Sequence, residues 1–149
     1  MDASMSMVTL GVRDLETSRR FYLDGLGWSP AMEVAGDVTF IQVGPAMLLG
    51  LWSRAKLSDE AGGLYQGDEA APISLAHMVA DPESVARVLD DATRAGGVLI
   101  APSTEREWGG VTGYFADPDG YRWEVAYNPS TDPVLGPILG PGAAAARQR

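Results

Sequence analysis

Residues 12–20, VRDLETSRR, and residues 79–87, VADPESVAR, carry Val, Asp, Glu and Arg at the same relative positions. Each stretch closes an apolar run that reads as a strand, MVTLGV at 7–12 and ISLAHMV at 73–79, and then opens a helical pattern. In the first, Asp14 suits the N-cap. Leu15, Ser18, Phe21 and Tyr22 share one face, and Gly25 or Gly27 is the stop. In the second, Asp81 is the cap and Pro82 takes the first helical position. Val85, Val88, Leu89 and Ala92 form the apolar face, and Gly96 ends it. The likeness resumes after the helices. VTFIQVGPAMLLGLW at 38–52 lies against VTGYFADPDGYRWEV at 111–125, each with a tight turn near its middle, at Gly44-Pro45 and at residues 117–120. The pattern predicts an α+β fold made of two β-α-β-β-β modules, at 7–53 and 73–129, within one domain spanning 1–129.

Between the modules, residues 54–72 are rich in Gly, Ala and acidic side chains and are expected to form a mobile loop. Residues 130–149 are rich in Pro, Gly and Ala. They read either as a solvated tail dispensable for folding, or as an arm that packs Val134, Leu135, Ile138 and Leu139 on a partner subunit.

The composition, 46% hydrophobic and 21% charged, is that of a soluble globular chain. A formal net charge of −9 with scattered cations argues against a nucleic-acid partner, because phosphate binding needs clustered Lys and Arg. The absence of cysteine excludes disulfides, thiolate metal sites and cysteine nucleophiles, and agrees with a cytoplasmic location. No signal peptide is visible, and no apolar run approaches the ~20 residues that span a bilayer, so no membrane partner is expected. The single histidine, His77, leaves no room for a His-rich zinc site.

One carboxylate stands out. Glu124 lies between Trp123 and Val125 in a stretch that reads as a strand, where burying an unpartnered charge is costly. Strand alternation puts Arg122, Glu124 and Ala126 on one face and Trp123, Val125 and Tyr127 on the other. In the same way Ser74, Ala76 and Met78 oppose Leu75, His77 and Val79, which sets His77 on the face away from Ser74. Arg122 is within reach of Glu124 as a same-face ion pair. With turns of four residues, Phe40, Gln42 and Leu51 are expected on one face of the first module, and Gly113 and Phe115 beside Glu124 in the second. A one-residue slip would reverse every facing.

Paired β-α-β-β-β modules, with LGVRDLETSRRFYLDGLGW at the start and GYFADPDGYRWEVAYNP at the end, resemble the vicinal oxygen chelate superfamily. That superfamily holds glyoxalase I, extradiol dioxygenases, fosfomycin resistance enzymes and bleomycin resistance proteins. The resemblance covers residues 7–129. It implies a curved, barrel-like mixed sheet with helices outside, and subunits that pair as a homodimer. In the metal-using members a divalent cation sits on His or Glu from the first and last strands of each module. The corresponding positions here are Met7, Leu51, Ser74 and Glu124. Only Glu124 keeps a carboxylate, so no bound metal or other cofactor is expected, with a divalent metal as the alternative.

The function implied is that of the bleomycin-resistance branch: binding of a small, partly apolar or aromatic molecule in a concave cleft without metal. Phe40, Leu51, Trp108 and Phe115 would supply apolar surface, while Gln42, Ser74, Arg122 and Glu124 would fix orientation. The alternative is a lyase, isomerase or dioxygenase, either metal-dependent or using Glu124 as the catalytic base.

Overall fold

The structure is a computed structural model that describes residues 4–65, 67 and 70–142. The chain divides into two compact units, Met1–Asp68 and Glu69–Arg149. Each contains one β-α-β-β-β module. In the first, β1 (Met7–Val12) leads into α1 (Leu15–Arg19), which widens into a π-helical turn over Arg20–Gly25. Strands β2 (Pro30–Val34), β3 (Val38–Gly44) and β4 (Met47–Ser53) follow. The second unit repeats the plan with β5 (Ser74–Val79), α3 (Glu83–Arg94), β6 (Val98–Glu105), β7 (Val111–Ala116) and β8 (Arg122–Tyr127). The sheets run β1-β4-β3-β2 and β5-β8-β7-β6. In each, the first strand is parallel to the last and the other pairs are antiparallel. The result is an α+β chain with two four-stranded mixed sheets.

The helix signals in the sequence act as expected. The Asp14 carboxylate accepts from Thr17 N at 2.8 Å, and Asp81 accepts from Ser84 N at 2.8 Å. These bonds hold both carboxyls below the usual range. For Asp14 the main cause is the Thr17 amide; for Asp81 it is the Ser84 hydroxyl and then its amide. Ser18, Phe21 and Tyr22 of the first helical segment are buried, as are Val85, Leu89 and Ala92 of α3, while Val88 is half-buried. Across the first unit, Arg19 ties its helix to β2 through Glu33 at 2.6 Å, and Glu33 also accepts from Thr39.

The linker departs from the loop expected, and the tail carries one short helix. Residues 54–72 open with an eight-residue helix, α2 (Arg54–Ala61), closed by Gly62 in the left-handed region. Good helix formers at Ala55, Lys56 and Leu57 outweigh the loop-like composition further on. In the tail, Asp132 accepts from Val134 N and Leu135 N, each at 2.8 Å, and a short helix α4 (Gly136–Leu139) follows. Val134, Leu135 and Ile138 are exposed on it. Gln66, Asp68 and Glu69 of the linker and 143–149 of the tail lie outside the described residues. Among the described residues no helix is long and apolar enough to cross a membrane.

Both hairpins differ by one residue from the four-residue turns expected. The β7–β8 loop has five residues, 117–121. Asp117 is 2% exposed, and its carboxylate accepts from Asp119 N and Tyr121 N at 2.9 Å each, drawing the fifth residue into the turn. The register therefore sets Tyr114 opposite Glu124, Phe115 opposite Trp123 and Gly113 opposite Val125. In the β3–β4 hairpin the register shifts between Gln42 and Gly44, an irregularity that has the same effect. It sets Phe40 opposite Gly50 and Thr39 opposite Leu51.

The edge strand β6 is also irregular. Its pairing with β7 shifts twice, between Leu99 and Ala101 and between Ala101 and Thr104, and Pro102 lies within the second shift. Val98, Leu99 and Ile100 are exposed on it.

If Asp117 sets the register, Asp117→Ala leaves two loop amides without their acceptor and should cost about 2–4 kcal/mol in urea unfolding. A loss below about 1 kcal/mol would show that the turn at Gly120 holds the loop by itself.

Candidate functional site

The register decides which side chains share a face with Glu124. On the other face of the second sheet lie Val79 and Val125, both fully buried, and Phe115 stacked on Trp123 at 6.1 Å with nearly parallel rings. That face takes α3: a side chain at Gly113 would come within 2.5 Å of Leu89 Cδ1. Phe115 and Gly113 thus belong to the helix-packed core and not beside Glu124, a correction that follows from the five-residue loop. His77 pairs with buried Val125 in the ladder, on this same face, as the alternation in β5 requires.

The helix-free face of the second sheet carries Ser74, Ala76 and Met78 from β5, Arg122, Glu124 and Ala126 from β8, and Thr112, Tyr114 and Ala116 from β7. Tyr114 and Glu124 are cross-strand neighbours, both half-buried. Burial pushes the Tyr114 hydroxyl above the ordinary phenol range; hydrogen bonding to Glu124 and the carboxylate's charge push it further, while Arg106 draws it back. Arg106, from the turn after β6, donates from Nε to the buried Thr112 Oγ1 at 2.7 Å. A tyrosine donor, a carboxylate acceptor and a guanidinium thus gather on one sheet face, where Thr112, Ala116 and Ala126 are buried and Tyr114 and Glu124 half-buried.

The Arg122 side chain turns toward the loop, donating to Gly120 O at 3.4 Å. No ion pair joins it to Glu124 among the described residues. Ser74 is exposed at the start of β5, its hydroxyl 3.5 Å from Leu75 O. Trp108 stands apart from Glu124's ladder. Its ring folds back over Gly110, where a side chain would meet it at 1.7 Å. With Asn128, Pro129, Ser130, Thr131 and Asp132 it lines an open pocket of about 510 Å³.

In the first unit, Phe40 and Gln42 share one face of their sheet with Thr9, Gly11 and Gly50, a face that α2 meets at Gly11 through Leu57. Gln42 donates to Gly44 O at 3.1 Å. Leu51, expected on that face, lies on the opposite one, fully buried with Thr39, Ile41 and Leu49. The irregularity at Val43 is the cause.

The ladders also revise the metal positions that the resemblance implies. Met7 pairs with Leu48 and Ser74 with Arg122, so Gly50, not Leu51, is the counterpart of Glu124. The four positions then supply a thioether, no side chain at all, a hydroxyl and one carboxylate. Such a set does not suit a hard cation, which wants several oxygens, or zinc, nickel or iron, which want imidazole or more carboxylate. Among the described residues no three His, Cys, Asp or Glu side chains converge on one point.

Sequence reasoning missed Tyr114, Thr112 and Arg106. The signal was present in Asp117. An Asp opening a hairpin loop that ends in Asp-Gly-Tyr is apt to accept from amides two and four residues on, which adds a residue to the turn.

The model of the Glyoxalase/Bleomycin resistance protein/Dioxygenase superfamily matches residues 4–125. Among solved structures, a glyoxalase-related enzyme from Fulvimarina pelagi is 35% identical, with a TM-score of 0.78 over 85% of this chain and 89% of that one. A glyoxalase/bleomycin resistance protein/dioxygenase from Nocardioides shares the fold at 22% identity, with a TM-score of 0.69 over 85% of this chain and 83% of that one. So does lactoylglutathione lyase from Agrobacterium tumefaciens, at 17% identity and a TM-score of 0.63 over 85% and 94% of the two chains. A search of curated proteins finds no match.

If Tyr114 bonds to Glu124, ultraviolet titration should find one tyrosine, absent in Tyr114→Phe, that ionises above the ordinary range. Glu124→Gln should bring it part of the way back, leaving the share due to burial. Because the folded-state value is raised, this group's contribution to stability is complete below about pH 10, the unfolded value, and is lost as pH rises through the folded one. A Tyr114 that titrates with the exposed phenols would refute the pairing.

Proposed function

The chain belongs to the Glyoxalase/Bleomycin resistance protein/Dioxygenase superfamily, whose fold hosts several chemistries, and from its own residues we propose that it binds a small, partly aromatic molecule without a metal ion. The observation that carries this reading is the Tyr114–Glu124 pair on the helix-free face of the second sheet. Glu124 has four lone-pair sites, and Tyr114 uses one. The remaining acceptor capacity suits a ligand that brings an N–H or O–H, or a cationic nitrogen. Tyr114 itself offers a ring edge and face for apolar contact. Arg106, held on Thr112, adds a positive charge that limits how many cations the face admits. The metal-free part of the proposal rests on the donor chemistry of Met7, Gly50, Ser74 and Glu124.

The same pair gives a second reading a specific footing. Glu124 can take a proton while Tyr114 donates one to a neighbouring oxygen, which is the minimum for a metal-free isomerase or lyase step. The binding reading asks less of the site, because it needs neither a raised carboxyl pKa nor a second activated group.

Two measurements test the proposal. Elemental analysis of protein purified without added metal should find no stoichiometric divalent ion; one tightly held equivalent would overturn the metal-free reading. In a calorimetric screen of aromatic amines and phenols, Glu124→Gln should weaken the best ligand about tenfold or more, as expected from losing a charge-assisted bond of ~1.5–3 kcal/mol. Unchanged affinity in a folded Glu124→Gln protein would remove Glu124 from the site. Turnover of any such compound that is lost in Glu124→Gln would favour the enzyme reading instead.

A further inference from the structure

The open pocket of about 510 Å³ lies within the second unit, where the turn joining β6 to β7 meets the segment that follows β8. The turn is closed by Arg106 N donating to Gly110 O and Gly109 N to Arg106 O, each at 2.8 Å. A side chain at Gly109 would meet Pro129 Cγ at 3.7 Å, so turn and segment stand side by side. The segment is fixed by its own side chains. Asn128 Oδ1 accepts from Ser130 N at 2.9 Å, and Ser130 Oγ accepts from Asp132 N at 3.1 Å. Asp132 Oδ1 accepts from Val134 N and Leu135 N, and Gly136 N donates to Asp132 O at 2.8 Å, which folds α4 back onto the segment. The pocket's volume falls in the range that takes small organic molecules.

These bonds decide what the wall still offers. One oxygen of Asp132 serves both amides and leaves the other, and the amides of Leu135 and Val134 hold the carboxyl below the usual range, so it stays ionised at neutral pH. Asn128 spends its oxygen and keeps its amide N–H groups, while Ser130 and Thr131 keep hydroxyl protons to donate. Asp132 is the one charged residue in the lining among the described residues. Arg106, in the adjoining turn, is committed to Thr112 Oγ1 and does not line the pocket. Trp108 is 55% exposed and brings an indole ring, the side chain that best holds a cation on its face, and Pro129 adds apolar surface. A carboxylate with no counter-ion, an aromatic ring, few acceptors and several donors together favour a cation that has few N–H groups of its own and an oxygen to accept.

We propose that this pocket is a second binding site, separate from Tyr114 and Glu124, for a small methylated ammonium ion that carries a hydroxyl. The methylated nitrogen lies against Trp108 and Pro129 with Asp132 as its counter-charge. The hydroxyl oxygen accepts from Asn128 Nδ2 or a neighbouring hydroxyl.

The test uses choline on the full chain, with 3,3-dimethylbutanol as the neutral molecule of the same shape, followed by tryptophan emission and calorimetry. Choline should change the emission saturably, and dimethylbutanol should bind at least about fivefold more weakly, as expected from losing a cation on an indole face. Asp132→Asn keeps an acceptor for the Val134 and Leu135 amides and removes the charge; it too should weaken choline about fivefold or more. Trp108→Leu should abolish the emission change and weaken binding to a similar extent. If Trp108→Leu does not fold, Asp132→Asn carries the comparison, and wild-type affinity in it overturns the proposal. Glu124→Gln should leave choline affinity unchanged whether or not Glu124 binds a ligand of its own; a loss there equal to that of Asp132→Asn would move the cation to the Glu124 face and overturn the second site. No saturable response to choline, or equal affinity for dimethylbutanol, would also overturn it. Tighter binding of ethanolamine than of choline would overturn the methylated assignment. Sedimentation with phosphatidylcholine vesicles, lost in Asp132→Asn, would identify the source as a lipid headgroup, and choline binding without it a free solute.

Discussion

The Asp117 carboxylate accepts two backbone amides across the β7–β8 loop, and the chemistry of the second sheet hangs on that arrangement. By holding Asp119 N and Tyr121 N it draws five residues into the turn instead of four. The added residue carries Tyr114 to the face of Glu124 and sends Phe115 into the core under α3. Since side chains alternate with a period of two, no intermediate arrangement exists: the loop length is a binary choice between a polar pair and an isolated carboxylate. A carboxylate that looks purely structural therefore decides what Glu124 has for a neighbour.

This is also where the sequence stopped being legible. The repeat between 12–20 and 79–87 gave the modules, because caps and apolar periodicity are local and both helices obey them. Alternation within β5 and β8 placed Ser74, His77, Arg122 and Glu124 on their correct faces for the same reason. Pairing between strands is not local. It passes through a turn whose length depends on side-chain hydrogen bonds at Asp117, and through an irregularity at Val43 that no composition marks. Both slipped by one, so Leu51 and Phe115 were assigned to one face of each sheet while each is buried on the other. Large apolar residues suit either face, so their identity could not correct the error. The helix α2 was hidden differently, its good helix formers diluted by the acidic and glycine-rich stretch that follows.

The corrected ladders change how the two halves compare. Gly50, between Thr9 and Phe40, is the counterpart of Glu124, between Ala76 and Tyr114. Phe40 correspondingly matches Tyr114, a ring without the hydroxyl. At equivalent places one sheet offers a carboxylate and a phenol, and the other a bare backbone and a hydrocarbon ring. The repeat has kept its scaffold while its side chains at these matched places differ: the second unit sets Glu124 and Tyr114 there, the first Gly50 and Phe40.

The twofold break in the pairing of β6 has a consequence for the protein in company with its own copies. Val98, Leu99 and Ile100 are a β-branched and aliphatic run with exposed side chains on a strand that ends its sheet, the combination that templates growth of sheet upon sheet. Regular backbone there would offer an unbroken row of donors and acceptors to any neighbour. Pro102 removes one donor, and the two shifts bend the row out of line, so a docking strand could match it over only a few residues. The irregularity makes no contribution to the Glu124 face. A strand with such a broken row is a poorer template for another strand than a regular one would be.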